Sequence, residues 1–402
     1  MSGPGRRARR VLPPPEAPDT YAAGLVNQIR EDVLAGDVPV TGARLAAAVH
    51  ASGRLLGSEG GLRAVDRVHA DLQGLGPLQA LLRIPGLTDI LVNGPHEVWI
   101  DTGTGLARTE VRFDSEAELQ GLAVRLIAAG GRRLDDSCPC ADVQLRGYRV
   151  HAVLPPVSTG STLLSIRLRA GETFSLEDLA AAGMMDAQCA GILKQIVASR
   201  QNFLISGATG TGKTTLLSSL LSLCEPDERL VLIEDAAELL PRHPHVIGLQ
   251  ARHTNIERAG AVDLPDLLRQ AMRMRPDRLV VGECRGAEVR ELLAAMNTGH
   301  DGAGGTIHSS AAATVPARLA ALGALAGLDS RALALQASGA LDAVVHLERG
   351  PEGRYVAEIA VLDSPGDGQL VTITALKCRE GLSTPGPGWD RLQARLTAGR
   401  VR

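Results

Sequence analysis

The segment from Gly207 to Thr214 has the residue types and spacing of a phosphate-binding loop, G-x-x-x-x-G-K-T. It follows an apolar stretch that predicts a buried strand and precedes one that predicts a helix. Glycines at such a turn let successive backbone N–H groups converge on phosphate oxygens at a helix N-terminus. Lys213 is expected to reach the β- and γ-phosphates, and the Thr214 hydroxyl is expected to bind Mg²⁺. A chance glycine-rich turn is the alternative, which the flanking strand and helix disfavour. The predicted nucleotide-binding residues are Gly207, Ala208, Thr209, Gly210, Thr211, Gly212, Lys213, Thr214 and Thr215.

Two acidic segments follow predicted strands downstream of this loop. Glu283 ends the apolar strand DRLVVGE, where a carboxylate is suited to holding a Mg²⁺-bound water or polarising an attacking water. Glu234 and Glu238 follow the strand LVLI, and carboxylates at the carboxyl ends of parallel strands face the ligand crevice. These three residues are therefore candidate catalytic groups. An ordinary solvated glutamate and an acidic capping turn are the alternatives.

Two histidines, His300 and His308, lie in the polar and glycine-rich segment 297–308. The segment is too polar for a core element, so it is interpreted as a loop. Histidines in such a loop are placed to sense a γ-phosphate or to couple hydrolysis to movement. Zinc binding is an alternative that lacks a third ligand at suitable spacing, and an ordinary surface histidine is another.

The elements that must position these residues follow an α/β pattern. Apolar strand candidates alternate with helices, which predicts a parallel sheet. The strand candidates are 203–206, 230–233, 245–250 and 277–283, and the helices include 176–182, 187–199 and 286–296. The tail from about 385 is predicted to begin as a loop and to end in a short helix.

The preceding part of the chain has the pattern of a smaller α+β domain. Strands are predicted at Asp89–Val92 and Glu97–Asp101, with a turn at Asn93-Gly94-Pro95 between them. The segment EVRF (110–113) is predicted to be another strand and is followed by a helix through Ala117–Ala129. The segments YRVHAVLPP and TLLSIRLR alternate like strands of a mixed sheet.

Composition narrows the class of protein. The 402 residues are 45% hydrophobic and 22% charged with a net charge of −3, which argues against a general nucleic-acid coat. The six cysteines are scattered without a CxxC pair, which is typical of free thiols in a reducing compartment. No signal peptide and no apolar stretch of the roughly 20 residues needed to span a membrane is found. The expectation is a soluble, cytoplasmic protein. Only three of the 42 basic residues are lysines, and Lys213 is one of them.

Taken in order, these segments resemble the secretion ATPase superfamily, which powers type II and type IV secretion and pilus machines. They look most like its tight-adherence (Flp) pilus assembly branch, CpaF/TadA-like. The resemblance covers about residues 60–350 and rests on GLGPLQALL, TDILVNGP, GYRVHAVLPP, SIRLR, GATGTGKTT, IEDAAEL, RMRPDRLVVGECRG and NTGHDGAGGTIH. The tetracysteine zinc module of type II secretion ATPases is absent, which argues against that branch.

The resemblance implies an α/β fold with a RecA-like P-loop NTPase domain, preceded by a smaller α+β domain and a helical segment. The predicted organisation is a disordered tail over 1–18, a helical segment over 19–73, an α+β domain over 74–169, a linker over 170–175 and the RecA-like ATPase domain over 176–402. Opening and closing of the ATPase would then occur through the linker.

The resemblance also implies roles for single residues. Glu234 and Glu238 fall in the Asp box, Glu283 in Walker B, and His300 and His308 in the His box. Family members send arginines from the N-terminal domain to the nucleotide, and an always-charged guanidinium suits this role. The matching positions are Arg149 and Arg167, with Arg269, Arg273 and Arg275 before Walker B as weaker candidates. The chain departs from the family at Gly304-Gly305 and Ser310, and the two glycines predict a more flexible His box.

The implied function is Mg²⁺-dependent ATP hydrolysis coupled to mechanical work. The implied assembly is a homohexamer docked peripherally on inner-membrane platform proteins at the inner face of the cell membrane, without direct contact to nucleic acid. A conjugative DNA-transfer or effector-export ATPase of the same superfamily is one alternative. A subunit that binds ATP without turnover is another, and a RecA-type recombinase is disfavoured by the weak net charge.

Overall fold

The computed structural model describes residues 74–103, 105–145, 147–168, 173–252, 260–351, 353–366, 368–379 and 381–399. The predicted tail over 1–18 and the predicted helical segment over 19–73 lie outside these residues, as does part of the predicted linker. The chain divides into two compact units, Met1–Arg169 and Ala170–Arg402. No helix in the described ranges combines the length and the apolar character needed to cross a bilayer.

In its described residues, the first unit is built on a six-stranded sheet and one long helix. The strands are β1 (Asp89–Val92), β2 (Val98–Asp101), β3 (Leu106–Arg108), β4 (Cys140–Leu145), β5 (Tyr148–Val153) and β6 (Leu163–Leu168), in the spatial order β3-β2-β1-β6-β5-β4. Alternate residues of each inner strand are buried, so that one face of the sheet is packed and the other is exposed. Helix α1 (Glu116–Ala129) begins where the Ser115 side chain accepts a hydrogen bond from the backbone N–H of Glu118.

Two predictions for this unit are wrong. Every strand pair of the sheet is antiparallel, so the sheet is not mixed. Residues 110–113 form no strand, because the chain leaves the sheet after β3. The backbone N–H of Phe113 donates to Pro95 O at 2.8 Å, and the buried Phe113 ring joins the core of the unit. An apolar anchor therefore produced the sequence pattern that predicted a strand there.

The second unit carries a nine-stranded mixed sheet in the order β15-β14-β13-β12-β7-β11-β10-β8-β9. The six strands from β12 to β9 are parallel, and β13, β14 and β15 add to β12 as antiparallel strands. The strands are β7 (Phe203–Gly207), β8 (Leu230–Glu234), β9 (Val246–Gln250), β10 (Arg278–Cys284), β11 (Gly304–His308), β12 (Ala343–Gly350), β13 (Gly353–Asp363), β14 (Val371–Arg379) and β15 (Leu382–Pro385).

Helices cover both faces of this sheet. They are α2 (Leu176–Ala181), α3 (Ala187–Ala198), α4 (Lys213–Leu221), α5 (Leu264–Ala271), α6 (Glu288–Asn297), α7 (Val315–Leu325), α8 (Ser330–Ala340) and α9 (Trp389–Ala398). Strand β7 is buried along its whole length, with Phe203 and Ile205 facing one hydrophobic cluster and Leu204 facing the other. A central strand that is buried on both faces reads as a continuous apolar run, as the sequence does here.

The segment 297–308 is not the flexible loop that its glycines predicted. Its second half is strand β11, which lies between β7 and β10 in the middle of the sheet. A Cβ atom at Gly304 would lie 3.1 Å from the ring of Phe203, and one at Gly305 would lie 2.9 Å from Val281 O. The two glycines therefore allow close packing of neighbouring strands and do not provide flexibility.

A buried ionic network joins the amino ends of two of these strands. Glu228 and Arg278 are each at most 3% exposed, and Arg278 Nε donates to Glu228 Oε2 at 2.9 Å. Arg200 pairs with the same carboxylate and donates to Asp277 O at 2.6 Å. The network links the end of α3 to the starts of β8 and β10.

Candidate nucleotide-binding and catalytic site

The loop between β7 and α4 has a backbone that only glycine adopts without strain at three positions. Gly207, Gly210 and Gly212 have φ values of 154°, 76° and 95°. A Cβ at Gly207 would also lie 2.6 Å from Leu347 O. Thr211 Oγ1 donates to Ala208 O at 2.9 Å, which closes the loop on itself. The sequence therefore folds into a glycine-dependent turn at the N-terminus of α4, the position that favours anions.

Lys213 is the first residue of α4 and is 8% exposed. Its ammonium group donates to Gly207 O at 3.0 Å and to Ala208 O at 2.8 Å, so that Nζ lies against the loop. Burial lowers the pKa of Lys213, and the negative charge of Glu283 acts in the opposite direction. The structure thus places a cation at the loop, next to the groups predicted to contact phosphate.

His308 connects Lys213 to Glu283. Its Nδ1 lies 3.4 Å from Lys213 Nζ, and its Nε2 lies 2.9 Å from Glu283 Oε1. An ammonium can only donate, so Nδ1 accepts, and Nε2–H then donates to the carboxylate. Burial and the nearby Lys213 charge lower the pKa of His308, whereas Glu283 raises it. The first two effects favour the neutral imidazole, which is the form that this row of hydrogen bonds requires.

The pairing of three parallel strands brings this row together. Strand β11 pairs with β7 so that His308 lies opposite Gly207. In the pairing of β10 with β11, the register shifts by one residue between Val281 and Cys284. This bulge contains Glu283, and such irregularities re-aim a side chain at the end of a strand. Three elements that are distant in sequence therefore meet at the carboxyl edge of the sheet, where ligands of α/β proteins bind.

The two Asp-box glutamates differ in their surroundings. Glu234 is 5% exposed, and its Oε1 accepts hydrogen bonds from the backbone N–H groups of Glu238 and Leu239, each at 2.9 Å. A Cβ at Gly282 would lie 2.8 Å from Glu234 Cγ, so this glycine makes room for the carboxylate. Glu234 thus holds the turn after β8 beside the strand of Glu283. The Glu238 side chain is exposed.

Other candidates do not join this cluster within the chain. His300 lies in the turn that precedes β11, whereas His308 is the last residue of that strand. Arg273 and Arg275 precede the first residue of β10 and are exposed at the amino edge of the sheet. Arg269 pairs with Asp266 at 2.5 Å and with Glu291 at 3.0 Å. Within one chain these four residues do not join Lys213, His308 and Glu283, and their action at the loop stays a prediction.

Arg149 and Arg167 lie in the first unit, directly opposite each other on β5 and β6. Their side chains alternate with the buried residues of those strands and so belong to the exposed face of the sheet. Arg149 NH2 lies 2.9 Å from Asp142 Oδ2, on the neighbouring strand β4. The structure brings these two predicted arginines side by side.

Sequence reasoning missed two residues that lie beside the loop. A Cβ at Gly212 would lie 3.0 Å from Met184 Cε and 3.5 Å from Arg354 Cδ. Met184 precedes α3, and Arg354 lies at the start of β13. No motif marks either position, because their proximity to Gly212 depends on the pairing of β12 with β7.

Residues 71–356 match the family described as type II/IV secretion system protein. The protein named "Putative conjugal transfer protein Rv3659c" of Mycobacterium tuberculosis is 48% identical over 340 residues, which cover 82% of this chain and 96% of that protein. The conjugal transfer protein TrbB of Rhizobium radiobacter is 37% identical over 231 residues, which cover 56% and 68% respectively.

A solved structure supports the fold. The pilus retraction motor PilT with bound ADP superposes with a TM-score of 0.50 at 20% identity, covering 70% of this chain and 80% of that one. At this identity the likeness concerns the fold alone. The chain thus has an α/β fold in which a smaller N-terminal domain precedes the domain that carries the phosphate-binding loop.

Proposed function

The chain belongs to the type II/IV secretion system protein family, and on this basis we propose that it is a Mg²⁺-dependent ATPase that drives a secretion or pilus machine. The observation that carries the proposal is the row formed by Lys213, His308 and Glu283 at the glycine-rich loop. A cation, a hydrogen-bonding imidazole and a carboxylate at a phosphate-binding turn suit phosphoryl transfer to water.

The chain's own groups account for binding of the nucleotide. The backbone N–H groups of the loop and the N-terminus of α4 attract the phosphates. Lys213 adds a positive charge. Its ammonium group donates to the carbonyls of Gly207 and Ala208 in this structure and donates to phosphate oxygens instead when the nucleotide is bound. The hydroxyl of Thr214 and the carboxylate of Glu283 are oxygen donors of the kind that Mg²⁺ prefers, Glu283 acting through a water molecule. When bound, Mg²⁺ neutralises developing phosphate charge.

Glu283 is the group that we assign to the attacking water. The hydrogen bond from His308 holds one carboxylate oxygen, so the carboxylate is oriented before substrate arrives. Such preorganised groups contribute to catalysis because they need not reorient during the reaction. Glu234 supports the adjacent turn, and a direct role for Glu234 or Glu238 remains part of the proposal, as do nucleotide contacts from Arg149 and Arg167.

Two kinds of machine are candidates. The sequence motifs resemble those of the Flp pilus assembly branch, whereas the names of Rv3659c and TrbB refer to conjugal transfer. A role in conjugative transfer therefore has as much support as a role in pilus assembly. In either case we propose a homohexamer at the inner face of the cell membrane that acts on membrane platform proteins and has no direct contact with nucleic acid.

ATP hydrolysis by the purified full chain tests the proposal. Lys213→Ala should abolish nucleotide binding, and Glu283→Gln should bind ATP but turn it over about 10²- to 10³-fold more slowly. Lys194→Ala is the matched control, since Lys194 is an exposed lysine of α3 that pairs with Glu177. If the wild-type chain binds ATP but hydrolyses it no faster than both variants, even with membrane platform proteins present, the chain is a nucleotide-binding subunit and the motor proposal fails.

A further inference from the structure

Arg354 lies beside the phosphate-binding loop although it belongs to a distant hairpin. Strand β12 pairs in parallel with β7, with Leu347 opposite Gly207. The hairpin formed by β12 and β13 therefore projects beyond the same sheet edge as the loop. The methylene Cδ of Arg354 lies 3.5 Å from the position of a Cβ at Gly212.

The Arg354 side chain projects on the side of the sheet where α4 packs. Val356, two residues along the strand, is buried in the same hydrophobic cluster as Leu216 of α4. Because side chains two residues apart share a face, Arg354 points towards the loop and the N-terminus of α4. The backbone N–H of Val356 donates to Met184 O at 2.8 Å, which fixes the strand at this position.

Positive charge accumulates at this place. Arg354 lies directly opposite Arg349 in the β12–β13 pairing, and like charges opposite each other on neighbouring strands are destabilising. The helix N-terminus and Lys213 add further positive potential. Among the residues that the structure describes, no carboxylate forms an ion pair with Arg354. An anion bound beside Gly212 would be attracted by the charge of Arg354 and by the helix N-terminus.

We propose that Arg354 is a nucleotide-binding residue whose guanidinium contacts the phosphate chain beside Gly212. The inference deepens the proposed function and rests on it. Nucleoside di- and triphosphates supply suitable anions, and a planar guanidinium grips phosphate oxygens with two parallel hydrogen bonds. A Cβ at Gly212 would be in ordinary van der Waals contact with the arginine stem, so the stem lies directly against the turn.

Calorimetric titration of the full chain with ADP tests the contact. Arg354→Ala should weaken ADP binding about tenfold or more, since a hydrogen-bonded charge pair is lost. Arg354→Lys should retain part of the affinity for ADP, because the positive charge is kept but the two parallel hydrogen bonds of the guanidinium are lost. Arg349→Ala is the matched control with the same charge change on the same hairpin, and it should weaken ADP binding less than Arg354→Ala because no Arg349 atom lies within 4 Å of a Cβ at Gly212. Unchanged thermal midpoints would establish that the variants are folded.

Competition with inorganic pyrophosphate identifies the part of the ligand that is contacted. Arg354→Ala should weaken the binding of pyrophosphate by a factor similar to that for ADP. The inference is overturned if Arg354→Ala binds ADP like the wild type, if Arg349→Ala is equally weakened, or if ADP but not pyrophosphate is affected. A wild-type chain that fails to bind ADP would overturn the proposed function as well, so the two failures are distinguishable.

Discussion

Substitution of Gly305 by alanine separates two opposite accounts of the His box. In a flexible loop, Gly→Ala stabilises the protein by about 0.4–1 kcal/mol, because the unfolded chain loses freedom. In strand β11, the added Cβ would lie 2.9 Å from Val281 O, where ordinary contacts begin at 3.4 Å. The sign of the change in the free energy of unfolding therefore distinguishes a loop from a packed strand.

The magnitude follows from what the new methyl group meets. The nearest atom is a backbone carbonyl of the adjacent strand, so β10 or β11 must shift, whereas contacts with Leu204 and Cys284 would be ordinary at 3.5 and 3.7 Å. Overpacking of this kind costs about 1–3 kcal/mol. After the gain from the unfolded state, we expect a net loss of about 1–2 kcal/mol. For a unit of this size that lowers the thermal midpoint by about 2–8 °C.

Urea and thermal unfolding of three glycine variants measure the effect. Gly304→Ala should reduce the free energy of unfolding less than Gly305→Ala, because the Cβ at 304 meets the Phe203 ring, which can tilt. Gly191→Ala is the positive control: this glycine lies inside α3 with no atom within 4 Å of the added Cβ, and alanine there should stabilise by about 0.5–1 kcal/mol. A Gly305→Ala protein as stable as the wild type, or more so, would refute the packed-strand account.

Two further predictions concern buried charge. Burial lowers the pKa of His346, which is 2% exposed, so the unfolded chain binds protons more readily, and the free energy of unfolding should fall on acidification through about pH 6.5. In urea titrations at about pH 7.5 and about pH 5.5, His346→Gln should lose less stability than the wild type, and equal losses would contradict the assignment. Glu228→Gln should cost about 3–5 kcal/mol because it leaves buried arginine charge uncompensated. In the same assay, Glu291→Gln should reduce the free energy of unfolding by less than about 1 kcal/mol, because its partner Arg269 is half-exposed. Similar losses of stability for the two variants would disprove the role of the network.

Local patterns in the sequence predicted many elements closely. Strand β1 has the predicted bounds, Asp89–Val92. The helices predicted over 176–182 and 187–199 differ from α2 and α3 by a single residue at their ends. Their first residues follow Ser175 and Asp186, whose side chains accept hydrogen bonds from backbone N–H groups of the first turn. Caps, periodicity and turn residues act within a few positions, so a sequence displays them directly.

Pairing between distant segments was predicted less well. The all-antiparallel sheet of the first unit and the strand nature of Gly304–His308 escaped prediction, because both depend on which strands lie next to each other. Two adjacent glycines look the same in a sequence whether they make a loop flexible or allow a neighbouring strand to pack closely. Only the proximity of Phe203 and Val281 O distinguishes these cases.

By itself, the sequence determined the phosphate-binding loop, because Gly207 to Thr214 is one contiguous turn whose chemistry lies in its own backbone and in Lys213. It also marked Glu283 and His308 as candidates. The tertiary structure alone decided that Lys213, His308 and Glu283 form one row, that His300 and Arg275 stand at the other edge, and that Arg354 reaches Gly212. The physical reason is that a strand's neighbours and register arise from long-range pairing and burial, which no local spacing of residues encodes.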